Sequence, residues 1–238
     1  QQAPDVSSYL KSSAGDTSDI VVNSLLSRFS DEGRITTNFV SEFAATELAT
    51  KQGPDFVLSL IKSTGAKDNP SLHGWFLELW FFASLTTGFQ YFDSSHKMHI
   101  WTKSRYCLFD PLHIDKARIA RSINANEWLK PKKWNQGGYD AVKVGQNNCI
   151  IVQVTRAKKH PLKYQYYANL VSALILDFEN ITEVQIYIIV PQSQEGIIIE
   201  EFDQVSYKNF LEANKITTTY KDSKPYEIIH AIGFADVH

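Results

Sequence analysis

Apolar positions recur with a helical spacing in the N-terminal part of the chain. A spacing of about 3.6 residues predicts helices from Asp19 to Gly33, over 37–51 and over 54–63. A polar loop follows at 65–71, where Gly, Asn and Pro interrupt the pattern. Residues 72–88 are apolar on nearly every side, which predicts a helix that is buried all round.

Strand-like patterns dominate after residue 88. Short apolar or alternating runs bounded by turn residues predict strands, at 89–93, 98–103, 106–110, 138–144, 149–155 and 183–190. Helical patterns predict two further helices, at 113–127 and 162–178. Shorter elements are predicted near the C-terminus, at 196–202, 206–214, 216–220 and 226–234. The order of elements from residue 72 predicts an α/β fold in which helices sandwich a mixed sheet.

These patterns divide the chain into three segments. Residues 1–17 are polar, and we expect them to be disordered or flexible. Residues 18–66 are predicted to form an N-terminal helical appendage, and residues 67–238 the main domain. No apolar run approaches the roughly 18–20 residues that a membrane helix needs, so no membrane association is expected.

The net charge of −2 conceals a strong internal asymmetry. Residues 97–163 hold 14 of the 24 Lys and Arg residues but 4 of the 26 Asp and Glu residues. A basic segment of this kind suits a polyanion such as a nucleic acid. A solvated basic surface without any partner explains the same pattern, and charge alone leaves both interpretations open.

Three polar residues stand where the pattern predicts burial: Glu78 in the apolar helix, Asp140 in one strand and Gln153 in the next. Burying a carboxylate costs several kcal/mol unless it is paired or bound to a metal. A hairpin turn centred at 146–147 would place Asp140 opposite Gln153. With Glu78, these oxygen ligands predict a Mg²⁺ site that polarises a phosphodiester and activates water. A hydrogen bond between the two strands is the purely structural alternative.

Basic residues follow the second of these strands directly. Two of them, Lys158 and His160, are expected to act in catalysis beside the metal. The others are expected to contact DNA phosphates: Arg156, Lys159 and Lys163. The upstream run KPKKW adds three more predicted phosphate contacts, Lys130, Lys132 and Lys133.

A glutamate on a helix, an aspartate on a strand and a Gln-x-Thr on the next strand resemble the signature of PD-(D/E)XK nucleases. More closely, four segments of the chain resemble the nuclease domain of Crinkler effectors and related retrotransposon-hot-spot-type proteins. These segments are HGWFLELWF (73–81), TGFQ (87–90), GGYDAV (137–142) and QVTRAKKH (153–160). The resemblance covers about residues 40–190.

The resemblance implies a restriction-endonuclease-like fold and a metal-dependent deoxyribonuclease. Such an enzyme would cleave host DNA, double-stranded and with little sequence preference, using Mg²⁺ or, in its place, Mn²⁺. The resemblance further implies secretion by a pathogen or symbiont and action in the host nucleus, where a host protein is a second candidate partner. The catalytic and metal-binding roles would fall to Glu78, Asp140 and Gln153.

Two departures from the signature keep other functions open. Gln153 stands where most members have an acid, and Thr155 stands where they have a lysine. Lys158 or His160 would have to replace that lysine, or else the chain is an inactive, nuclease-derived module that binds DNA or a host protein. A third alternative is an interaction protein whose acidic residues 18–64 dock a partner or a second copy of the chain.

Overall fold

The structure, a computed structural model, contains six helices and twelve strands within the residues that it describes. The described residues are 26–31, 34–39, 42–64, 70–132, 137–178, 180–194, 196–200, 202–218 and 224–234. The helices are α1 (Glu42–Gln52), α2 (Pro54–Thr64), α3 (Pro70–Leu85), α4 (Lys116–Asn124), α5 (Tyr164–Asp177) and α6 (Gln204–Ala213). The segment predicted to be flexible, residues 1–17, lies outside this description.

Most of the strands belong to one mixed sheet. The first six strands are β1 (Leu26–Asp31), β2 (Arg34–Phe39), β3 (Phe89–Phe92), β4 (Met98–Trp101), β5 (Tyr106–Phe109) and β6 (Trp128–Pro131). The other six are β7 (Ala141–Val144), β8 (Asn148–Val154), β9 (Lys159–Pro161), β10 (Glu183–Pro191), β11 (Ile198–Glu200) and β12 (Glu227–Ala231). Eight of them form a sheet in the order β4-β3-β12-β10-β8-β7-β6-β5, and β1-β2 and β9-β11 form two small sheets.

The centre of the sheet joins an antiparallel hairpin to parallel strands. Strand β7 runs antiparallel to both β6 and β8, whereas β10 runs parallel to β8 and to β12. Helix α5 connects β8 to the parallel strand β10, as such a connection requires. The predicted α/β class with a mixed sheet is therefore confirmed.

Helices cover both faces of the sheet, and each face has its own hydrophobic cluster. The first cluster joins α1, α2 and α3 to residues such as Ala141 and Val152. The second joins α4, α5 and α6 to the alternate residues Val142 and Ile151. Because successive side chains of a strand point to opposite faces, this alternation assigns each strand residue to the α3 face or the α5 face.

The N-terminal region corrects one prediction. Residues Leu26–Asp31 and Arg34–Phe39 pair as antiparallel strands, whereas we expected helices to Gly33 and from 37. A short apolar run does not distinguish a helix from a strand, and Ile35, Thr36 and Thr37 are β-branched residues that favour a strand. Helices occur further on, where α1 and α2 pack against α3 in one cluster. The part of the first predicted helix that falls on 19–25 lies outside the described residues.

Strand β6 was not expected, because its sequence, WLKP, continues into a run of lysines. All four residues of β6 are buried. The strand therefore lacks the alternation of buried and exposed positions by which a half-buried strand is recognised. The helix predicted at 113–127 is shorter in the structure, where α4 spans Lys116–Asn124. Strand β6 begins soon after it, at Trp128. No helix in the described part of the chain has the length and apolar character to cross a membrane.

Candidate functional site

The β7–β8 hairpin has the register that its turn predicts. Ala141 pairs with Val152, and Val144 pairs with Cys149 next to the turn. At the open end of the hairpin, Asp140 Oδ2 accepts hydrogen bonds from Gln153 Nε2 at 2.8 Å and from Val154 N at 2.6 Å. The predicted contact between Asp140 and Gln153 is therefore confirmed.

Gln153 has one polar atom that forms no hydrogen bond with any described residue. Its side chain is 9% exposed, and its Oε1 is buried with no hydrogen-bond partner among the described residues. An unsatisfied buried acceptor costs about 1–3 kcal/mol, so such atoms normally contact a water, a cation or a ligand. Gln153 Oε1, the predicted metal ligand, is thus a buried acceptor at the end of the hairpin.

Helix α5 lies over this end of the hairpin. Tyr167 of α5 is fully buried, and its hydroxyl has no hydrogen-bond partner in the described part of the chain. Burial, followed by the negative charges of Asp140 and Tyr207, raises the pKa of Tyr167 well above its usual value. Tyr167 therefore lies within electrostatic range of the Asp140 carboxylate.

A cavity of about 240 Å³ lies beside Gln153. Residues from the hairpin, β9 and the start of α5 line it: Gly137, Gly138, Gln153, His160, Pro161, Lys163 and Tyr166. The ring of Tyr166 packs so closely on the glycines that a Cβ at Gly137 would come within 2.5 Å of it. Gly138 also has a φ of +90°, which favours glycine. These two glycines therefore let Tyr166 form a wall of the cavity.

Glu78, on α3, has a different partner. Its carboxylate pairs with the ammonium of Lys130, which is buried and also lies 4.4 Å from the ring centroid of Phe82. Lys130 shares its face of β6 with Trp128, whose ring packs against Phe81 of α3 at 5.9 Å. The described contacts bring Asp140 and Gln153 together and join Glu78 to Lys130. The convergence of Glu78 with Asp140 stays a prediction.

The predicted phosphate contacts differ in their exposure. Lys130 is 6% exposed, so it offers little to a DNA backbone, contrary to our expectation. Two of the predicted contacts already have protein partners: Arg156 donates a hydrogen bond to His73 Nδ1, and Lys159 forms an ion pair with Glu200 at 3.1 Å. The side chains of Lys132, Lys158 and Lys163 are exposed, whereas Lys133 lies outside the described residues.

His160 is half-buried on β9 and lines the cavity. Its Nδ1 lies 3.5 Å from the hydroxyl of Thr155, the residue that replaces the signature lysine. Burial lowers the pKa of His160 below its usual value, so the imidazole is neutral at pH 7. A neutral imidazole can accept a proton from water or donate one hydrogen bond.

The oxygen atoms at the end of the hairpin match part of the ligand set of a magnesium site. Mg²⁺ prefers oxygen ligands, and the Asp140 carboxylate and Gln153 Oε1 supply this chemistry. The third predicted ligand, Glu78, is held by Lys130. Among the residues that the structure describes, no group of three or more His, Cys, Asp and Glu side chains is placed to hold a metal ion.

No family model, curated protein or solved structure matches the chain.

Sequence reasoning missed two parts of this site. The wall formed by Tyr166 was not predicted, because the helical pattern at 162–178 does not show which residues the exposed side of the helix contacts. The paired glycines before Tyr139 and Asp140 were the signal for it, since adjacent glycines often mark a close approach of another group. The role of Lys130 was missed because its partner, Glu78, is remote in sequence.

Proposed function

We propose that the protein is a Mg²⁺-dependent deoxyribonuclease with a restriction-endonuclease-like core. The observation that carries this proposal is the pairing of Asp140 with Gln153, whose Oε1 has no hydrogen-bond partner among the described residues. Gln153 also lines a cavity together with His160 and Lys163. Oxygen ligands near an ammonium group suit a divalent cation and a phosphodiester together. The order of a helix with Glu78, then Asp140 directly before β7, and Gln153 on the neighbouring strand β8 also supports it.

The residues around the cavity have complementary roles in phosphodiester hydrolysis. A bound Mg²⁺ would polarise the phosphate and lower the pKa of an attacking water. Asp140 and Gln153 would hold the cation, and the exposed ammonium groups of Lys158 and Lys163 would neutralise the phosphate oxygens. His160, neutral at pH 7, would accept a proton from the water as its oxygen bonds to phosphorus. The proton then passes to the departing sugar oxygen as its bond to phosphorus breaks.

A comparison of the wild type with Asp140→Asn tests this proposal. The amide keeps an oxygen for Gln153 Nε2 and Val154 N, but it removes the charge that holds the cation. We expect plasmid cleavage with Mg²⁺ or Mn²⁺ to fall about 100-fold or more, equivalent to roughly 2.7 kcal/mol of transition-state stabilisation. Asp177→Asn, at the far end of α5, is the matched control and should retain full activity. Equal cleavage by the wild type and Asp140→Asn would contradict the proposal.

A module that binds DNA without cleaving it is the second candidate function. It is favoured by the two hydrogen bonds that Asp140 Oδ2 already accepts and by the ion pair that neutralises Glu78. In that case no cleavage occurs, and charge reversal at Lys132 and Lys158 weakens DNA binding and lowers its salt dependence. Asp140→Asn would then leave DNA binding unchanged, as measured by fluorescence anisotropy across a salt series.

A further inference from the structure

The two strands at the ends of the eight-stranded sheet differ in exposure. All four residues of β5 are buried or partly buried, whereas on β4 Met98 is 62% exposed and Ile100 is 58% exposed. An end strand carries backbone groups that pair with no neighbouring strand, and soluble proteins normally protect such an edge with charges, proline or a covering loop. Strand β4 instead has two exposed apolar side chains between its ends.

The pairing of β4 with β3 shows which backbone groups face outward. Asp93 N donates to Lys97 O at 3.0 Å, so these two residues, next to the turn, are a hydrogen-bonded pair. Hydrogen-bonded and non-hydrogen-bonded pairs alternate along an antiparallel ladder. In the register of the two strands, Met98 and Ile100 occupy the non-hydrogen-bonded positions. Their N–H and C=O groups therefore point away from β3, towards the outside of the sheet.

The other two residues of β4 attach the strand to the rest of the protein. The ring centroid of Trp101 lies 5.3 Å from that of Phe89 and 4.9 Å from that of Trp128. His99 Nε2 lies 2.8 Å from Asp93 Oδ2. These contacts hold β4 in an extended conformation before any partner binds, which reduces the conformational entropy that is lost on binding.

Cationic side chains flank the exposed edge. Lys97 precedes β4, Lys103 and Arg105 follow it, and all three are exposed and form no ion pair within the described part of the chain. Two copies of the chain that paired through β4 would bring these cations close to one another, so their charge disfavours a second copy as the occupant. A strand with acidic residues at its ends is complementary to the same surface.

We propose that β4 binds an extended segment of a partner protein that carries acidic residues at both of its ends. The segment adds a strand to the end of the sheet, and its backbone groups pair with those of Met98 and Ile100. Its apolar side chains cover the same two residues, and its acidic residues contact the flanking cations. A surface for DNA phosphates needs cations alone, whereas this edge also offers unpaired backbone groups and apolar side chains. The proposal does not rest on the proposed nuclease function.

Fluorescence anisotropy with the full chain and a labelled peptide tests the proposal. The peptide alternates valine and threonine between two glutamates at each end, and we expect it to bind saturably. The same peptide with lysines in place of the glutamates should bind at least tenfold more weakly. Two further peptides carry N-methyl groups on either the odd or the even amides, and one of the two should lose at least tenfold in affinity. No binding of the acidic peptide, or equal binding by it and both methylated peptides, would overturn the proposal.

A matched pair of variants at Ile100 tests the role of the outward backbone. Ile100→Pro removes an N–H that faces outward, and proline is tolerated at such a position of an end strand. We expect it to weaken binding of the acidic peptide at least tenfold. Ile100→Val retains the N–H and a branched apolar side chain and should bind within about twofold of the wild type. Equal binding by the two variants would overturn the proposal.

A charge exchange keeps the test decisive if Ile100→Pro does not fold. Lys97→Glu combined with Lys103→Glu should reverse the preference, so that the lysine peptide binds more tightly than the glutamate peptide. Lys208→Glu, on α6, is the matched control and should leave the preference unchanged. A preference for the glutamate peptide that persists in the double variant would contradict the predicted role of the flanking cations and overturn the proposal.

Two other occupants of this edge give distinct results. A dimer in light scattering that Ile100→Pro converts to a monomer would assign β4 to a second copy of the chain and overturn the proposal. A double-stranded oligonucleotide that displaces the peptide and binds Ile100→Pro as tightly as the wild type would assign the surface to DNA, with the same consequence. Asp140→Asn should bind the acidic peptide as the wild type does, because Asp140 lies next to β7 and not on β4. A loss of cleavage in that variant therefore leaves this proposal unaffected.

Discussion

Replacing Lys130 by methionine is expected to lower the free energy of unfolding by about 3 kcal/mol, the lower end of the range for breaking a buried ion pair. The Lys130 side chain is 7% exposed and that of Glu78 is 21% exposed, so removal of the ammonium leaves a carboxylate with little solvent. Methionine keeps an unbranched side chain of similar length but removes the ammonium from Glu78 and from the ring of Phe82, so the loss reports the charge. Urea denaturation with a two-state analysis measures it.

Two further variants show whether the ion pair causes this loss. Glu78→Gln combined with Lys130→Met removes both charges, and we expect it to recover stability to within about 1 kcal/mol of the wild type. Lys132→Met changes an exposed lysine of the same run and should alter stability by less than about 0.5 kcal/mol. If Lys130→Met unfolds at the same urea concentration as Lys132→Met, the ion pair contributes nothing measurable.

Asp140→Ala is expected to lower the free energy of unfolding by about 3 kcal/mol, because it removes the acceptor of two hydrogen bonds. Gln153 Nε2 and Val154 N would then be donors without their acceptor, at the base of the central hairpin. Asp140→Asn keeps an acceptor oxygen and should cost less than about 1 kcal/mol. The difference between the two variants, measured by urea denaturation, gives the contribution of this acceptor.

This difference also decides how the nuclease assay is interpreted. An alanine at position 140 would lower activity by loosening the hairpin, even if the carboxylate had no role in chemistry. Equal stability of Asp140→Ala and the wild type would show that water replaces the acceptor without loss. Asp140 would then have no structural role, and Asp140→Ala would test catalysis as well as Asp140→Asn does.

The hairpin is the part of the site that local sequence predicts best. The turn at 146–147 and the apolar runs on either side lie within a few residues of each other, so pairing about the turn defines the register. Asp140 and Gln153 follow from that register by counting. The buried character of α3 was also predictable, since its apolar residues cover every side of the helix.

Other elements depend on contacts that local sequence does not contain. The strands β1 and β2 pair with each other where a helical spacing predicted a helix, because a short apolar run satisfies both periods. Strand β6 is buried on both faces between β5 and β7, so it lacks the alternation by which an exposed strand is recognised.

The sequence by itself determined the α/β class, the two long helices and the Asp140–Gln153 contact, because periodicity and turn chemistry act over a few residues. Only the tertiary structure decided which charges meet. Glu78 pairs with Lys130 across 52 positions, and Tyr166 packs on the glycines that precede Asp140 and lines a cavity there. Such contacts arise when the sheet brings distant strands together, and desolvation then selects the partner of each buried charge.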